Sequence, residues 1–407
     1  MSIQLKCRIC FSKKIEKVLD LGRQPLANSL TRTKDKAEKK YELCIFFCKS
    51  CFTPQLTKNL KPKILFSNYV WRTSTSSLAK KFSKQFSRLI LQRFKKSKPN
   101  VLEIASNDGT FLKPFKKKGC NVIGVDPAKN IVNIAIKKNR IKTKNGFFSY
   151  EFSKKLKKFM PDIIFARNVI AHVTNIHSFV KGISALTKND GMVAIEFHYA
   201  KKILDLKQYD SIYHEHLFYF SLKTIEMIFK KYNLYAYDAI PSPISGGALI
   251  VLFKKVKIKK TKDYFKVLKN EKKNSVNTIN TWRSFSKFVR EHSNKFREII
   301  NDLAKSGKIF AYGASARSST LLNLSKISFK QIEAIIDKNN IKLGMFTPGS
   351  KIKIISLKNG IKKIKKRKIL TLLAWNFKKE ILKELRSLGY KGKIILPLPF
   401  KIKSLNV

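Results

Sequence analysis

Short apolar runs alternate with helical patterns through the middle of the chain. VLEIASNDGTFLKPF, starting at Val101, passes from an apolar strand through a turn of small residues into a helix. NVIGVDP forms a second strand that ends in an acid, and PDIIFARNVIAHV and GMVAIEF supply two more strands with a helical segment between them. Strands and helices that alternate at this length predict a doubly wound, mostly parallel sheet of the α/β class.

A second alternation of strands and helices follows a long helical stripe. Apolar residues from Trp282 to Leu303 recur at i, i+3 and i+4, which predicts a long helix within a helical linker over 257–306. GKIFAYGASARSSTLLN then predicts strand, tight turn and helix, and later strands follow around EAIIDKN, ILTLLAW and KIILPLP. We therefore predict a smaller, Rossmann-like α/β domain over 307–407. The helix N-terminus after its first turn can receive a diphosphate, with Arg317 and Lys342 as charge partners.

Two CxxC pairs mark the N-terminal region. Cys7 and Cys10 form one pair, and Cys48 and Cys51 form the other in FFCKSCF. Without a secretion signal, this spacing fits a tetrahedral structural Zn²⁺ site better than a disulfide framework. Four thiolates close the coordination shell, so we expect a zinc-binding N-terminal domain over 1–76, ahead of the central α/β domain over 77–256.

The strong positive charge of the chain is weak evidence for a polyanionic partner. A net charge of +60, from 86 Lys+Arg against 26 Asp+Glu, would ordinarily indicate nucleic acid or an anionic membrane surface. The lysines are dispersed among many Ile, Asn and Phe, residues that A/T-rich codons favour, so genome-wide drift is a competing cause. We expect no nucleic acid and no membrane as partner. Because no apolar run approaches about 20 residues and no apolar signal region precedes the first CxxC pair, we expect a cytoplasmic location.

Polar residues cluster at the carboxyl ends of the predicted central strands, where a doubly wound sheet binds its ligand. Asp126 ends the second strand and can accept hydrogen bonds from ribose hydroxyls. The order of Glu103, Asp108-Gly109 and Asp126 resembles the S-adenosylmethionine-dependent methyltransferases more than a GxGxxG dehydrogenase. The residues predicted to bind this donor are Glu103, Ser106, Asn107, Asp108, Gly109, Asp126 and Asn168.

The densest set of titratable side chains lies in SIYHEHLFYFSL. Tyr213, His214, Glu215 and His216 place two of the six histidines beside a carboxylate and a phenol, which suits general acid–base chemistry. A polar strand end or a surface turn explains the same four residues without catalysis. His172, at the end of FARNVIAH, fits a functional position beside the crevice and a core position equally well.

Segments from nearly the whole chain resemble one known family. CRIC, VLDLGRQPLANSL, FFCKSC, YVWRTSTSS, VLEIASNDGTFL, VDPAKNI, ARNVIAHV and IYHEHLFYFSL follow the order found in the zinc-containing sugar C-methyltransferases. The resemblance implies an N-terminal domain with structural zinc, a Rossmann-like central domain that binds S-adenosylmethionine, and a C-terminal domain that helps to hold a nucleotide sugar. It implies C-methylation of a nucleotide-linked 4-keto-deoxysugar. The active-site residues implied by the same motifs are His216, Tyr213, Glu215, His172 and Tyr69, with Trp71 as the competing assignment for Tyr69.

The implied chemistry suits these residue types. A neutral His216 can remove the acidified hydrogen beside the ketone, and Tyr213 or an imidazole can donate a hydrogen bond to the enolate oxygen. The carbanion then takes the methyl group of the donor. Glu215 would orient an imidazole as a carboxylate does in a catalytic triad, whereas His214 is expected to be a flanking residue.

The chain also departs from the family it resembles. Ala105 and Ala311 stand where glycine is usual, and alanine is costly where the backbone needs a positive φ. Ser245, Ala248 and Ile250 surround a glycine pair where the family commonly shows His, Ser and Arg. Two alternatives therefore stay open: an RNA or protein methyltransferase that uses the basic surface, and a catalytically inactive relative that keeps the fold and the zinc site.

Overall fold

In the computed structural model, residues 5–60, 62–66 and 72–407 are described, and these residues form three β-sheets that share one continuous apolar core. Tyr69 and Trp71, the two candidates for a substrate-facing aromatic residue, lie outside the described residues. No helix within those ranges combines the length and the apolar character needed to cross a membrane.

The N-terminal sheet is a three-stranded antiparallel meander. Its strands are β1 (Ile15–Pro25), β2 (Lys40–Cys48) and β3 (Pro54–Leu56), and the short helix α1 (Pro62–Phe66) follows. The second CxxC pair spans the end of β2: Cys48 is the last residue of the strand, and Cys51 lies in the turn that leads to β3. The end of β2 therefore places Cys48 and Cys51 next to the first pair, Cys7 and Cys10.

The central sheet has seven strands in the order β6-β5-β4-β7-β8-β10-β9. The first five in this order are parallel, and β10 is antiparallel to both of its neighbours. A dinucleotide-binding sheet has the order 3-2-1-4-5-6, so the chain differs from it at the last two strands. The strands are β4 (Asn100–Ile104), β5 (Asn121–Asp126), β6 (Thr143–Asn145), β7 (Ile163–Arg167), β8 (Met192–His198), β9 (Tyr235–Ser242) and β10 (Ala248–Lys254).

Helices connect the strands of this sheet and pack against its faces. They are α2 (Ser77–Phe94), α3 (Leu112–Lys117), α4 (Lys129–Lys137), α5 (Tyr150–Lys154), α6 (Ile176–Leu186), α7 (Ala200–Asp205) and α8 (Leu222–Lys230). In α2, Phe82, Phe86 and Ile90 are buried at intervals of four residues, and the Ser76 hydroxyl accepts the amide of Ala79 at the N-terminus. The apolar spacing and this cap together explain why α2 begins where it does.

Two helices lead from the central sheet into the C-terminal sheet. They are α9 (Lys262–Lys273) and α10 (Ile279–Lys305), and α10 buries Trp282, Phe285, Val289, Phe296 and Ile300 along one face, which confirms the predicted long amphipathic helix. The C-terminal sheet has the order β13-β12-β11-β14-β15-β16, parallel except for β16. Its elements are β11 (Ile309–Tyr312), α11 (Ala316–Leu324), β12 (Ile332–Ile336), β13 (Lys353–Ile355), α12 (Leu357–Arg367), β14 (Ile369–Leu372), α13 (Lys378–Ser387), β15 (Lys393–Leu396) and β16 (Lys403–Asn406).

Both doubly wound sheets fix their first turn in the same way. In the central sheet the amide of Asn107 donates to the carboxylate of Asp126 at 2.8 Å, and in the C-terminal sheet the amide of Ala314 donates to Asp337 at 2.8 Å. Asp126 ends the second strand of its sheet and Asp337 directly follows the second strand of the other, and each amide belongs to the turn after the first strand. The strand order reverses between β4 and β7 and between β11 and β14, which is where open α/β sheets bind ligands.

The two alanines that replace family glycines differ in backbone conformation. Ala105 has φ 58°, in the left-handed region, whereas Ala311 lies inside β11. We expect Ala105→Gly to increase the free energy of unfolding by about 0.5–1 kcal/mol and so to raise the midpoint of urea unfolding, since relief of left-handed strain exceeds the entropy cost of glycine. Ala311→Gly is the matched control and should lower the midpoint. A lower midpoint for Ala105→Gly would contradict the inference that the left-handed backbone of Ala105 destabilises the protein.

Candidate active site

One cleft of about 770 Å³ contacts all three parts of the chain. Asn28 reaches it from the N-terminal region, and the carboxyl ends of β4, β5 and β7 form another wall. The segment 211–216 contributes Tyr213 and His216, while Arg317 in α11 and Lys342 between β12 and β13 come from the C-terminal part of the chain. The predicted donor crevice and the predicted catalytic segment therefore open into the same space.

His216 has hydrogen-bond partners at both ring nitrogens. Nδ1 lies 2.6 Å from the carbonyl oxygen of Ser211, which can only accept, so Nδ1 carries the proton. In the neutral ring Nε2 is then unprotonated, and it accepts the hydroxyl of Tyr213 at 2.9 Å. Desolvation inside the cleft, with smaller contributions from His172 and His198, holds the pKa of His216 well below its usual range. His216 is therefore a neutral imidazole with a fixed tautomer at pH 7.

Two further imidazoles lie beside His216. The ring centroids of His172 and His216 are 4.9 Å apart, and those of His198 and His216 are 6.1 Å apart. Nδ1 of His172 donates to the carbonyl of Glu215 at 2.7 Å, and Nε2 of His198 lies 2.9 Å from the side-chain oxygen of Gln208. Desolvation lowers the pKa of His172 to about 4 and that of His198 to about 3, so neither ring adds a positive charge next to His216 at pH 7.

Glu215 contacts a residue from the N-terminal region. The side-chain amide of Asn28 donates to its carboxylate at 2.6 Å, and burial raises the pKa of Glu215 to about 7 despite this hydrogen bond. The structure thus differs from the expectation that the carboxylate of Glu215 orients an imidazole. Backbone carbonyls already accept from Nδ1 of His216 and of His172, and the Glu215 side chain binds Asn28 instead.

The crevice after β4 places the carboxylate of Asp126 against the backbone of two turns. The Asp126 carboxylate accepts the amides of Asn107 at 2.8 Å and Ala128 at 2.9 Å, and burial raises its pKa. A carboxylate has about four acceptor positions, so two remain available to ribose hydroxyls. Glu103 also faces this crevice; its Oε2 is buried without a hydrogen-bond partner among the described residues, and burial raises its pKa well above the usual range.

Asp108 and Gly109 do not line the cleft. The carboxylate of Asp108 accepts the amide of Ser74 at 3.0 Å and the hydroxyl of Thr110 at 2.6 Å. Gly109 has φ 75°, and a Cβ there would lie 2.9 Å from a side-chain carbon of Ile141. Both residues shape the turn between β4 and α3, and that turn presents Ser106 and Asn107 to the cleft.

Arg317, in α11, binds the segment before Tyr213. Its guanidinium donates to both oxygens of the buried Asp210, at 2.7 and 3.0 Å, and the indole of Trp375 donates to the same carboxylate at 2.8 Å. A further bond of 3.2 Å reaches Gln208, the partner of His198. Arg317 therefore lines the cleft, but its charge is already paired with Asp210. Its main role is to connect two parts of the chain rather than to bind a diphosphate.

The four cysteines of the two CxxC pairs form one compact group. Their sulfur atoms all lie within 4.8 Å of one another, with Cys7 and Cys51 at 3.4 Å and Cys10 and Cys48 at 3.6 Å. Tetrahedral Zn–S bonds of about 2.3 Å put the sulfurs about 3.8 Å apart, close to these distances. The amide of Ile9 also lies 3.4 Å from the Cys7 sulfur, as expected for stabilised thiolates. The donor set fits a structural zinc ion.

Three family models match consecutive parts of the chain. A model described as "Putative zinc binding domain" matches residues 7–66, one described as "Methyltransferase domain" matches 77–238, and one described as "C-methyltransferase C-terminal domain" matches 243–399. The C-methyltransferase NovU of Streptomyces niveus is 28% identical over 403 residues, covering 97% of this chain and 95% of NovU. The chain belongs to the zinc-binding, S-adenosylmethionine-dependent C-methyltransferases.

Other similar proteins match shorter parts of the chain. A ubiquinone biosynthesis O-methyltransferase of Pelagibacter ubique is 33% identical over 98 residues, which cover 23% of this C-methyltransferase and 40% of the relative. Magnesium protoporphyrin IX methyltransferase from Synechocystis, solved with bound SAH, is 11% identical and covers 43% of this chain and 83% of its own, with a TM-score of 0.36. The fold of the C-methyltransferase is therefore assigned from its own strand order.

Most residues that the sequence nominated lie together in the cleft of this C-methyltransferase. From the donor set these are Glu103, Ser106, Asn107, Asp126 and Asn168, and from the catalytic set His172, Tyr213, Glu215 and His216. Sequence reasoning missed Asn28, which lines the cleft and binds Glu215, and Gln208, which binds His198. It left His198, which also lines the cleft, undecided. A signal for His198 was present, since it ends β8 and the carboxyl ends of parallel strands share one edge of the sheet.

The pH dependence of kcat/KM should report the ionisation of the Glu215 carboxylate. If its carboxylate must be ionised, kcat/KM rises with pH through a midpoint near 7, because burial raises the pKa of Glu215 to about 7. Asn28→Leu removes the hydrogen bond that favours the carboxylate, so the midpoint should move upward by about 1–2 pH units. The exposed neighbour Ser29 provides the control, Ser29→Ala, with an unchanged midpoint. A downward or absent shift for Asn28→Leu would contradict the inference that the Asn28 hydrogen bond favours the ionised carboxylate of Glu215.

Proposed function

We propose that this C-methyltransferase methylates the carbon next to the ketone of a nucleotide-linked 4-keto-deoxysugar. The observation that carries the proposal is the hydrogen bond from Tyr213 to Nε2 of His216, inside a cleft that also contains the Asp126 crevice. A base and a hydrogen-bond donor thus lie side by side, as α-proton removal requires.

Nε2 of His216 is suited to accept the α-proton. It is unprotonated in the neutral tautomer, and the low pKa keeps it so at neutral pH. When the substrate ketone takes the hydroxyl of Tyr213 as donor, Nε2 is released to accept the proton from the α-carbon, and the electron pair of the C–H bond passes to the enolate. Tyr213 then stabilises the enolate oxygen, since a hydrogen bond to developing charge strengthens in a desolvated site.

The donor side of the cleft supports S-adenosylmethionine as cofactor. Asp126 has acceptor positions left for ribose hydroxyls, and Glu103 offers a second carboxyl group in the same crevice. When bound, S-adenosylmethionine supplies an electrophilic methyl group that reacts with the carbanion. The four cysteines lie in the N-terminal sheet region with no place in the cleft, so zinc has a structural role.

The C-terminal wall of the cleft supports a nucleotide as the far end of the substrate. Ser315, at the N-terminus of α11, and Lys342 both line the cleft, and Lys342 donates to the carbonyl of Ala314 in the turn after β11. A helix N-terminus and a lysine ammonium are both favourable neighbours for a diphosphate. The positive field of the chain increases the local concentration of such an anion.

The experiment is a substrate panel. The protein is incubated with S-adenosylmethionine and a set of nucleotide-linked 4-keto-6-deoxysugars, and products are read by mass spectrometry for one added methyl group and by NMR for its position. The matched control for each sugar is its 4-hydroxy form, which lacks the acidified hydrogen. We expect methylation at carbon in the keto series only. Methylation of oxygen, or of RNA or a protein in parallel incubations, would contradict the proposal.

A further inference from the structure

Strand β3 lies between the cysteine cluster and the catalytic segment. The amide of Leu56 donates to the carbonyl of Leu217 at 3.0 Å, and the amide of Tyr219 donates to the carbonyl of Pro54 at 3.0 Å. These bonds make the chain directly after His216 an added antiparallel partner of the N-terminal sheet. The catalytic segment is thus paired to the zinc-binding domain through backbone hydrogen bonds.

Gln55, in the middle of β3, contacts the cysteine cluster with its side chain. Gln55 is fully buried; its Nε2 donates to the sulfur of Cys7 at 2.9 Å, and its Oε1 accepts the amide of Arg8 at 3.0 Å. Both ends of the amide are therefore fixed, and the amide–thiolate bond is charge-assisted. The backbone of the same residue pairs with Phe218, two positions after His216. One residue thus contacts a predicted zinc ligand and the catalytic segment.

The opposite side of the segment is bound to the turn that carries His172. The amide of Leu217 donates to the carbonyl of Ala171 at 2.7 Å, and Nδ1 of His172 donates to the carbonyl of Glu215 at 2.7 Å. The chain from Glu215 to Leu217 is therefore held between β3 and the His172 turn. A shift of β3 would move His216 relative to His172, because the intervening backbone bonds are short and buried.

We propose that Gln55 is a positioning residue that couples the Cys7 thiolate to the geometry of His216 and His172. The effect on catalysis rests on the proposed roles of these two histidines. The hydrogen-bonded connection from Cys7 through Gln55 and β3 to the segment after His216 does not depend on those roles. A bound zinc ion would hold Cys7 as a thiolate. The Cys7 sulfur accepts the side-chain amide of Gln55, and the backbone of β3 pairs with the segment after His216. Partners of metal ligands typically change metal affinity or activity by about 10–100-fold, and a displacement of about 1 Å can cost about 10²-fold in rate.

The test compares two buried glutamines of the same domain. Gln55→Met keeps the length of the side chain and removes both of its hydrogen bonds. Gln24→Met is the matched control, because Gln24 is also buried but donates to the carbonyl of Leu21 and has no contact with a cysteine or with the catalytic segment among the described hydrogen bonds. Each zinc-loaded protein is examined by hydrogen–deuterium exchange, by the rate of zinc release to a chelator, and by kcat and KM separately.

For Gln55→Met we expect zinc release and amide exchange in the peptide 212–220 to accelerate by about 10-fold, with the peptide 101–112 unchanged. kcat should fall by about 10–100-fold while KM stays within about two-fold. Zinc removal from the wild type should accelerate exchange in 212–220 at least as much while the peptide 101–112 stays unchanged, which tests the link between the metal site and the catalytic segment even if the variant folds poorly.

Three results would overturn the coupling. Faster zinc release with unchanged exchange in 212–220 would restrict Gln55 to metal retention. Equal effects in Gln24→Met would indicate general destabilisation of the domain. Unaltered exchange after zinc removal would show that the metal site does not affect the peptide 212–220. If the substrate panel shows no sugar methylation, the exchange measurements still decide the coupling, so the two proposals fail separately.

Discussion

His216→Asn is expected to lower kcat by about 10²–10⁴-fold, the usual contribution of a general base. Asparagine keeps a hydrogen-bonding side chain near Tyr213 but has no basic nitrogen to accept the α-proton. Binding of S-adenosylmethionine, measured by calorimetry, should stay within about two-fold, because the Asp126 crevice does not use the His216 ring.

The adjacent histidine supplies the control for this variant. His214 is buried and its Nε2 lies 3.2 Å from the carbonyl of Tyr41, on the N-terminal sheet, outside the cleft lining. His214→Asn should therefore keep kcat within about three-fold, although its thermal stability will fall by about 1–2 kcal/mol through the lost buried contact. Wild-type turnover by His216→Asn, or equal losses in both variants, would contradict the assignment of the base.

Cys48→Ser is expected to abolish zinc binding and to unfold the N-terminal sheet. Structural zinc contributes about 10–16 kcal/mol to the folding of zinc-finger peptides at pH 7, and a hydroxyl does not replace a thiolate ligand. Cys48 ends β2, so its loss reaches the pairing of β2 with β3 as well as the metal site. Zinc content by elemental analysis should fall from one per chain to near zero, with faster proteolysis of the N-terminal region.

Cys44 makes the comparison with Cys48 informative. It lies on the same strand and is equally buried, but it does not belong to the group of four sulfurs. Cys44→Ser should keep one zinc per chain while losing some stability from its buried position. Retention of zinc by Cys48→Ser, or loss of zinc from Cys44→Ser, would mean that the metal ligands have been assigned wrongly.

Much of the cleft could be predicted because parallel strands end at one edge of a sheet. Strand and helix periodicity predicted the central sheet, and the residues at the ends of β4, β5 and β7 then had to lie near one another. The same reasoning applied to β8 would have placed His198 beside them. The sequence could thus locate residues that a regular element carries to a shared edge.

Contacts between separate parts of the chain could not be predicted in this way. Asn28 and Glu215 are 187 residues apart, and Arg317 and Asp210 are 107 apart, with no periodic pattern that links them. The direction of a side chain in an irregular turn was also out of reach. Asp108 does not line the cleft, and its carboxylate binds Ser74 and Thr110 within a turn where Asn107 and Gly109 both have positive φ, a backbone path that the residue order alone does not specify.

Solvent exchange at the α-carbon tests the central claim most directly. A keto sugar that the protein methylates is incubated in deuterated water with S-adenosylhomocysteine in place of the donor, and NMR follows the hydrogen next to the ketone. We predict that the wild type exchanges this hydrogen for deuterium, that His214→Asn does so at a similar rate, and that His216→Asn does not. Exchange by His216→Asn at the wild-type rate would contradict proton removal by His216.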